Sequence, residues 1–234
     1  MNVEVFDDAE SVARVGAAAI AADSRAAVAS RGGFTFAVSG GHTPWMMLRM
    51  LAEEDVPWAG MRIFQVDERV APAGDPDRNL THLRESLQRA PLRPDQIFAM
   101  PVESDLLAAV AQYSLALQTV AGSPPVLDLV QLGQGPDGHT ASLVPEDPVL
   151  EIADADVALT GVYQGRRRMT LTYRVINRAR RVLWLITGSE KVEMLRRLQD
   201  GDVSIPAGRV RRDAALVLAD RAAAGQVPAE PGRR

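Results

Sequence analysis

Short apolar runs rich in β-branched and aromatic residues recur along the chain, separated by longer amphipathic or alanine-rich stretches. The runs at 34–38, 61–66, 126–132, 181–187 and 215–219 predict strands. The segments at 10–30, 45–53, 80–89, 105–121 and 190–200, alanine-rich or apolar at 3.6-residue spacing, predict helices. Such alternation predicts βαβ units, hence a single-domain α/β fold with a mostly parallel, doubly wound sheet and helices on both faces. Between 157 and 172, β-like runs follow one another without a long helix, which predicts an irregular or antiparallel addition. No repeat or long linker divides the chain, so one domain is expected over 1–225, with a flexible tail at 226–234.

The chain of 234 residues is 47% hydrophobic and 24% charged, with a formal net charge of -4. That balance suits an ordinary globular protein and lacks the basic excess expected of a nucleic-acid partner. An anionic small substrate would need locally clustered cations. The absence of cysteine excludes disulfides, zinc–thiolate sites and thiol catalysis, and fits a reducing compartment. The first ten residues carry acids where a signal peptide needs basic residues, and no apolar run reaches the roughly 18 residues of a membrane span. A cytoplasmic protein without a membrane partner is expected, and nothing in the pattern specifies an oligomeric state.

Ligands of doubly wound sheets bind beyond the carboxyl ends of the strands, so the loops after the apolar runs are where chemistry is expected. After 34–38 comes Ser39-Gly40-Gly41-His42-Thr43-Pro44. Paired glycines, two hydroxyls and a proline suited to the first helical turn fit a phosphate cradle, and equally a capped glycine turn. After 61–66 comes Asp67-Glu68-Arg69, which is either a solvated turn or a site. In a site, Arg69 would bind a phosphate or carboxylate and Asp67 would accept from sugar hydroxyls. Asn79 is read first as a helix N-cap and second as a ligand contact. After 126–132 comes the glycine-rich loop from Gly133 to Ser142, which carries Asp137, Gly138 and His139. His139 is expected to be a general base, because a histidine exchanges protons near neutral pH. His42 and His82 read as a loop residue and an exposed helix residue. Arg168 stands against a β-like run and Lys191 follows the 181–187 strand, while Arg166 and Arg167 read as a solvated basic patch.

Taken in order, Ser39 to Pro44, Asp67 to Arg69, Gly135 to Pro145, Arg168 to Thr172, Gly188 to Lys191 and Pro206-Ala207 make the chain resemble the 6-phosphogluconolactonase family over nearly its whole length. The resemblance implies hydrolysis of 6-phospho-D-glucono-1,5-lactone, the second step of the oxidative pentose phosphate pathway. It implies His139 as the base that activates water, with Asp137 as its orienting or electrostatic partner. It also implies a phosphate site made of Ser39, Gly40, Gly41, Thr43, Arg168 and Lys191, with Arg69 on the phosphate or the nascent carboxylate and Gly138 beside the substrate. No metal and no cofactor are required, since a lactone carbonyl is already electrophilic.

Glucosamine-6-phosphate deaminases share the Asp-Gly-His loop, but follow it with Phe-Asn-Glu-Pro and favour Asp-Glu-Tyr at 67–69. Ser142-Leu143-Val144-Pro145 and Arg69 stand there in this chain, and both point to the lactonase. His42, Gln134 and Val144 depart from the common lactonase pattern, His42 bearing on the phosphate pocket. A non-catalytic sugar-phosphate sensor is the reading from another class. It has little need for His139 beside Asp137.

Overall fold

In the computed structural model, which describes residues 1–103 and 105–226, strands and helices alternate. The order is β1 (Asn2–Phe6), α1 (Ala9–Arg31), β2 (Phe34–Val38), α2 (His42–Leu51), β3 (Met61–Gln65), β4 (Asp67–Arg69), α3 (Asn79–Ser86), β5 (Ile97–Phe98), α4 (Leu106–Ala121), β6 (Leu129–Leu132), β7 (Val157–Leu159), β8 (Arg168–Leu171), α5 (Tyr173–Arg178), β9 (Arg181–Ile186), α6 (Val192–Asp200) and β10 (Ala215–Asp220). Seven strands form a parallel sheet in the order β1-β10-β9-β6-β2-β3-β5. Its strand residues alternate between two cores, as a sheet buried on both faces requires. Phe34, Phe36 and Val38 of β2 pack with α1, α2 and α3, whereas Ala37 faces the core filled by α4, α5 and α6. No described helix is long and apolar enough to cross a membrane.

Local chemistry sets the element ends. Asp8 caps α1 by accepting from the Ser11 N–H at 2.8 Å, and Gly32 closes it at φ 78°, a left-handed conformation that glycine adopts without strain. Within α1, Gly16 permits a close crossing, since a methyl there would lie 3.2 Å from Leu185 and 3.3 Å from Met47.

The sequence expectations need several corrections. The edge strands β1 and β5 and the short helix α5 are additional. The 126–132 run is a strand only from Leu129, and the helix expected from residue 45 starts at His42. The antiparallel addition at 157–172 is a separate sheet of β4, β8 and β7. Asp67-Glu68-Arg69 is therefore a strand and not a turn. The chain passes between the sheets at Val66, whose N–H donates to Val38 O at 3.0 Å and whose carbonyl accepts from Leu171 N at 2.8 Å. The tail expected at 226–234 lies, apart from Gln226, outside the described residues.

From β2 the chain moves outward to β3 and β5, then returns to place β6 on the other side of β2. This reversal opens a crevice beyond the carboxyl ends of β2 and β6, where a doubly wound sheet binds its ligand. One wall is fixed by Glu68, which has no solvent exposure. Its carboxylate accepts from Gln65 Nε2, Arg69 N, Asn79 N and Leu80 N at 2.8–2.9 Å, and Arg78 Nε is 3.1 Å away. It thereby caps α3, which has no capping side chain of its own. Glu68→Ala would leave Arg78, 2% exposed, without this partner. We expect a stability loss of ~3–5 kcal/mol in equilibrium urea unfolding. A loss below about 1 kcal/mol would put the contact in the range of surface ion pairs.

Candidate active site

A cleft of about 360 Å³ opens where the loops after β2, β6 and β9 meet the small sheet. The loop after β2 supplies Ser39, Gly40 and Gly41, and the first turn of α2 adds His42, Thr43 and Pro44. Among the described residues no side chain caps α2, so its first N–H groups and positive dipole end are open to an anion. A methyl on Gly40 would lie 2.0 Å from Asn79 Oδ1, so only glycine brings this loop against α3. Thr43 Oγ1 is 2.7 Å from Thr187 Oγ1, which joins α2 to the loop after β9.

The opposite wall is cationic. Arg69 and Arg168 come from paired strands of the small sheet and Lys191 from the turn before α6. Arg168 is 4% exposed, and burial lowers its pKa from the ordinary arginine value. Among the described residues, neither Arg69 nor Arg168 has a carboxylate within ion-pair distance, and Lys191 meets Glu190 at 3.6 Å. Asp67, also on the wall, accepts from Ser142 Oγ at 2.6 Å.

At the end nearest β6, the imidazole of His139 lines the cleft and its Nδ1 is 2.6 Å from Asp137 Oδ1. A carboxylate only accepts, so this contact assigns the proton to Nδ1 and leaves Nε2 as the basic nitrogen. The hydrogen bond from His139 holds Asp137 well below the usual carboxylate range. The loop closes on itself through Gly135 N to His139 O at 2.8 Å, and Gly138 turns at φ 84°. Tyr163 donates to the other Asp137 oxygen at 2.9 Å, and its own pKa is raised by burial and by that carboxylate.

Of the residues singled out from sequence, Ser39, Gly40, Gly41, Thr43, Asp67, Arg69, His139, Arg168 and Lys191 converge on this cleft. Two do not reach its wall. Asp137 stands behind His139, and Gly138 packs against Ile205, where a methyl would lie 2.8 Å from its Cβ. Ser39 lines the cleft with its donors committed, since its N–H and hydroxyl go to Gln131. Asn79 begins α3 without capping it, its side chain donating to Asp67 O. Arg166 is not a free basic patch, because it pairs with Asp75 and Asp77. The sequence reading gave no role to Thr187 or to Gln134, both of which line the cleft, or to Tyr163, which contacts Asp137 behind it. The Gln164-Gly165 pair after Tyr163 is a turn signal that marks a hairpin tip.

The family described as glucosamine-6-phosphate isomerases/6-phosphogluconolactonase matches residues 7–218. A 6-phosphogluconolactonase of Synechocystis is 36% identical over 72% of this chain and 72% of its own length. One of Streptomyces coelicolor is 33% identical over 96% of this chain and 94% of its own. A crystal structure of 6-phosphogluconolactonase from Thermotoga maritima superposes with a TM-score of 0.84 at 26% identity, covering 94% of this chain and 98% of that one.

Gly135 carries a test of the loop. A methyl there would stand 2.0 Å from His139 Nδ1 and 2.6 Å from Asp137 Oδ1. Gly135→Ala should abolish the downfield proton resonance of the Asp137-bound Nδ1–H while leaving far-ultraviolet circular dichroism unchanged. An unshifted resonance would mean that the loop relaxes around the methyl.

Proposed function

The chain belongs to the glucosamine-6-phosphate isomerase/6-phosphogluconolactonase family, and on that premise we propose that it hydrolyses 6-phospho-D-glucono-1,5-lactone to 6-phospho-D-gluconate, the second step of the oxidative pentose phosphate pathway. The observation that carries this reading is the His139–Asp137 pair, tautomer fixed, at one end of a cleft whose other wall presents Arg69, Arg168 and Lys191. His139 Nε2 takes a proton from water, and the hydroxide attacks C1. The tetrahedral oxyanion collapses as the ring oxygen leaves with the proton returned by the imidazolium. Asp137 keeps the ring oriented and offsets the positive charge that develops on it.

The phosphate is assigned to the α2 terminus, Arg168 and Lys191, which fixes C1 relative to His139. Ser39 contributes shape here, and Arg69 serves the phosphate or the new carboxylate. The deaminase reading of the same family calls for an acid after Asp-Gly-His. In this chain Ser142, Leu143 and Val144 are all buried, and the Ser142 hydroxyl is held by Asp67. That favours hydrolysis. The cysteine-free composition supports a reducing compartment, and the cytoplasm is the one we propose.

Lactonase and deaminase turnover measured side by side test the assignment, and deaminase activity without lactonase activity would overturn it. His139→Ala should lower kcat by roughly 10²-fold or more after subtraction of spontaneous hydrolysis. Wild-type turnover in that variant would remove His139 as the base. Arg168→Ala should chiefly raise KM, and an unchanged KM would take Arg168 out of the phosphate site.

A further inference from the structure

Tyr163 is not on the cleft wall, yet it touches two groups that act there. It opens a tight hairpin turn between β7 and β8, in which Tyr163 and Arg166 exchange backbone hydrogen bonds of 2.9 and 3.3 Å. Gln164 and Gly165 between them have φ of 50° and 79°, the left-handed pair that matches a two-residue loop to the twist of its strands. Arg166 ties the tip to the loop between β4 and α3, with Nε 2.8 Å from Asp77 and Nη2 3.1 Å from Asp75. The Tyr163 side chain is thus delivered from an anchored turn. Its hydroxyl donates to Asp137 Oδ2 at 2.9 Å and lies 3.4 Å from His139 Nδ1. Its ring stands edge-on to the imidazole at 5.5 Å, and the Arg168 guanidinium lies over its face at 4.9 Å.

We propose that Tyr163 is a positioning residue for both halves of the reaction: its hydroxyl fixes the Asp137 carboxylate that orients His139, and its ring supports Arg168 toward the phosphate. The inference rests on the lactonase reading of the same site. Both hydrogen bonds from His139, its Nδ1–H at 2.6 Å and its backbone N–H at 3.2 Å, fall on Asp137 Oδ1, and the terminal torsion of an aspartate is broad, so Oδ2 is left to swing about that point. The Tyr163 donor on Oδ2 removes that freedom and holds the imidazole in one plane. Arg168 is buried and its Nε has no hydrogen-bond partner among the described residues. The negative face of the phenol ring offsets part of its lost hydration without occupying the donors that meet a ligand. Gln164 Oε1 takes only Nη2, at 3.1 Å.

Two substitutions separate hydroxyl from ring. In Tyr163→Phe the ring stays under Arg168, and kcat should fall by about tenfold with KM within about twofold of wild type. In Tyr163→Leu, KM should also rise, by about tenfold. Nitrogen-15 NMR of the three histidines, with His139→Ala to identify the His139 signals, supplies a readout that needs no turnover. The Nδ1-protonated tautomer should dominate in wild type and give way to a mixture in Tyr163→Phe. A residue that only packs the hairpin would move neither kcat nor the tautomer in the Phe variant. Wild-type kcat with an unaltered spectrum in Tyr163→Phe, or a wild-type KM in Tyr163→Leu, overturns the proposal. A wild-type protein without lactonase turnover would overturn the proposed function instead, and the tautomer spectrum would still decide whether the hydroxyl orients His139.

Discussion

The carboxylate of Glu68 is where the two sheets and helix α3 are joined. A charge without solvent contact is unfavourable unless donors surround it, and here four hydrogen-bond donors and a buried arginine do so. Its position has a direct geometric consequence. Side chains alternate along a strand, so with Glu68 turned inward to α3, Asp67 and Arg69 are directed to the opposite side, where both line the cleft. One triplet of charges thus does two jobs. The inner acid holds the wall in place, and the flanking acid and arginine face the cleft.

The other wall depends on a polar residue inside a buried strand. Gln131 of β6 is fully buried, and its Oε1 accepts from Ser39 N while its carbonyl accepts from Ser39 Oγ. These bonds tie the carboxyl end of β2 to β6 at the point where the loops beyond them part. Ser39 therefore shapes the cradle and the glycines after it present the backbone. The α2 terminus can remain uncapped because its first turn is fixed from elsewhere, by Thr43 on Thr187 and by Gly40 against Asn79.

Legibility in the sequence followed the range of the determining interactions. β2 reads cleanly because its pattern is local and both flanks are buried by parallel neighbours. β1 escaped because it is a half-exposed edge strand carrying Asn2 and Glu4, and β5 because two residues hold no periodicity. The glycine loops, their charges and His139 were legible because the carboxyl ends of parallel strands converge. The second role of Asp67-Glu68-Arg69 was hidden, since β4 pairs with β8 about a hundred residues later in the chain. Tyr163 was hidden for the same reason. Its partners lie on a different loop, and only the Gln164-Gly165 turn signal was local.

The charge balance shows how a chain of net charge -4 can present a cationic wall. Most surface arginines are engaged with acids nearby, as Arg166 is with Asp75 and Asp77 and Arg181 with Asp23. Arg69 and the buried Arg168 are among the described arginines without an ion pair, and they share one wall. Coulombic attraction from Asp67 favours the charged form of Arg168, while burial disfavours it more strongly. A desolvated cation without a close countercharge is an unfavourable element of the empty protein, and a bound dianion relieves it. The net charge of -4 therefore sets the average field, whereas the cleft presents the opposite sign at short range, where screening by salt is weakest. On the proposed reading, recognition of a phosphate would lie in where the acids were left out.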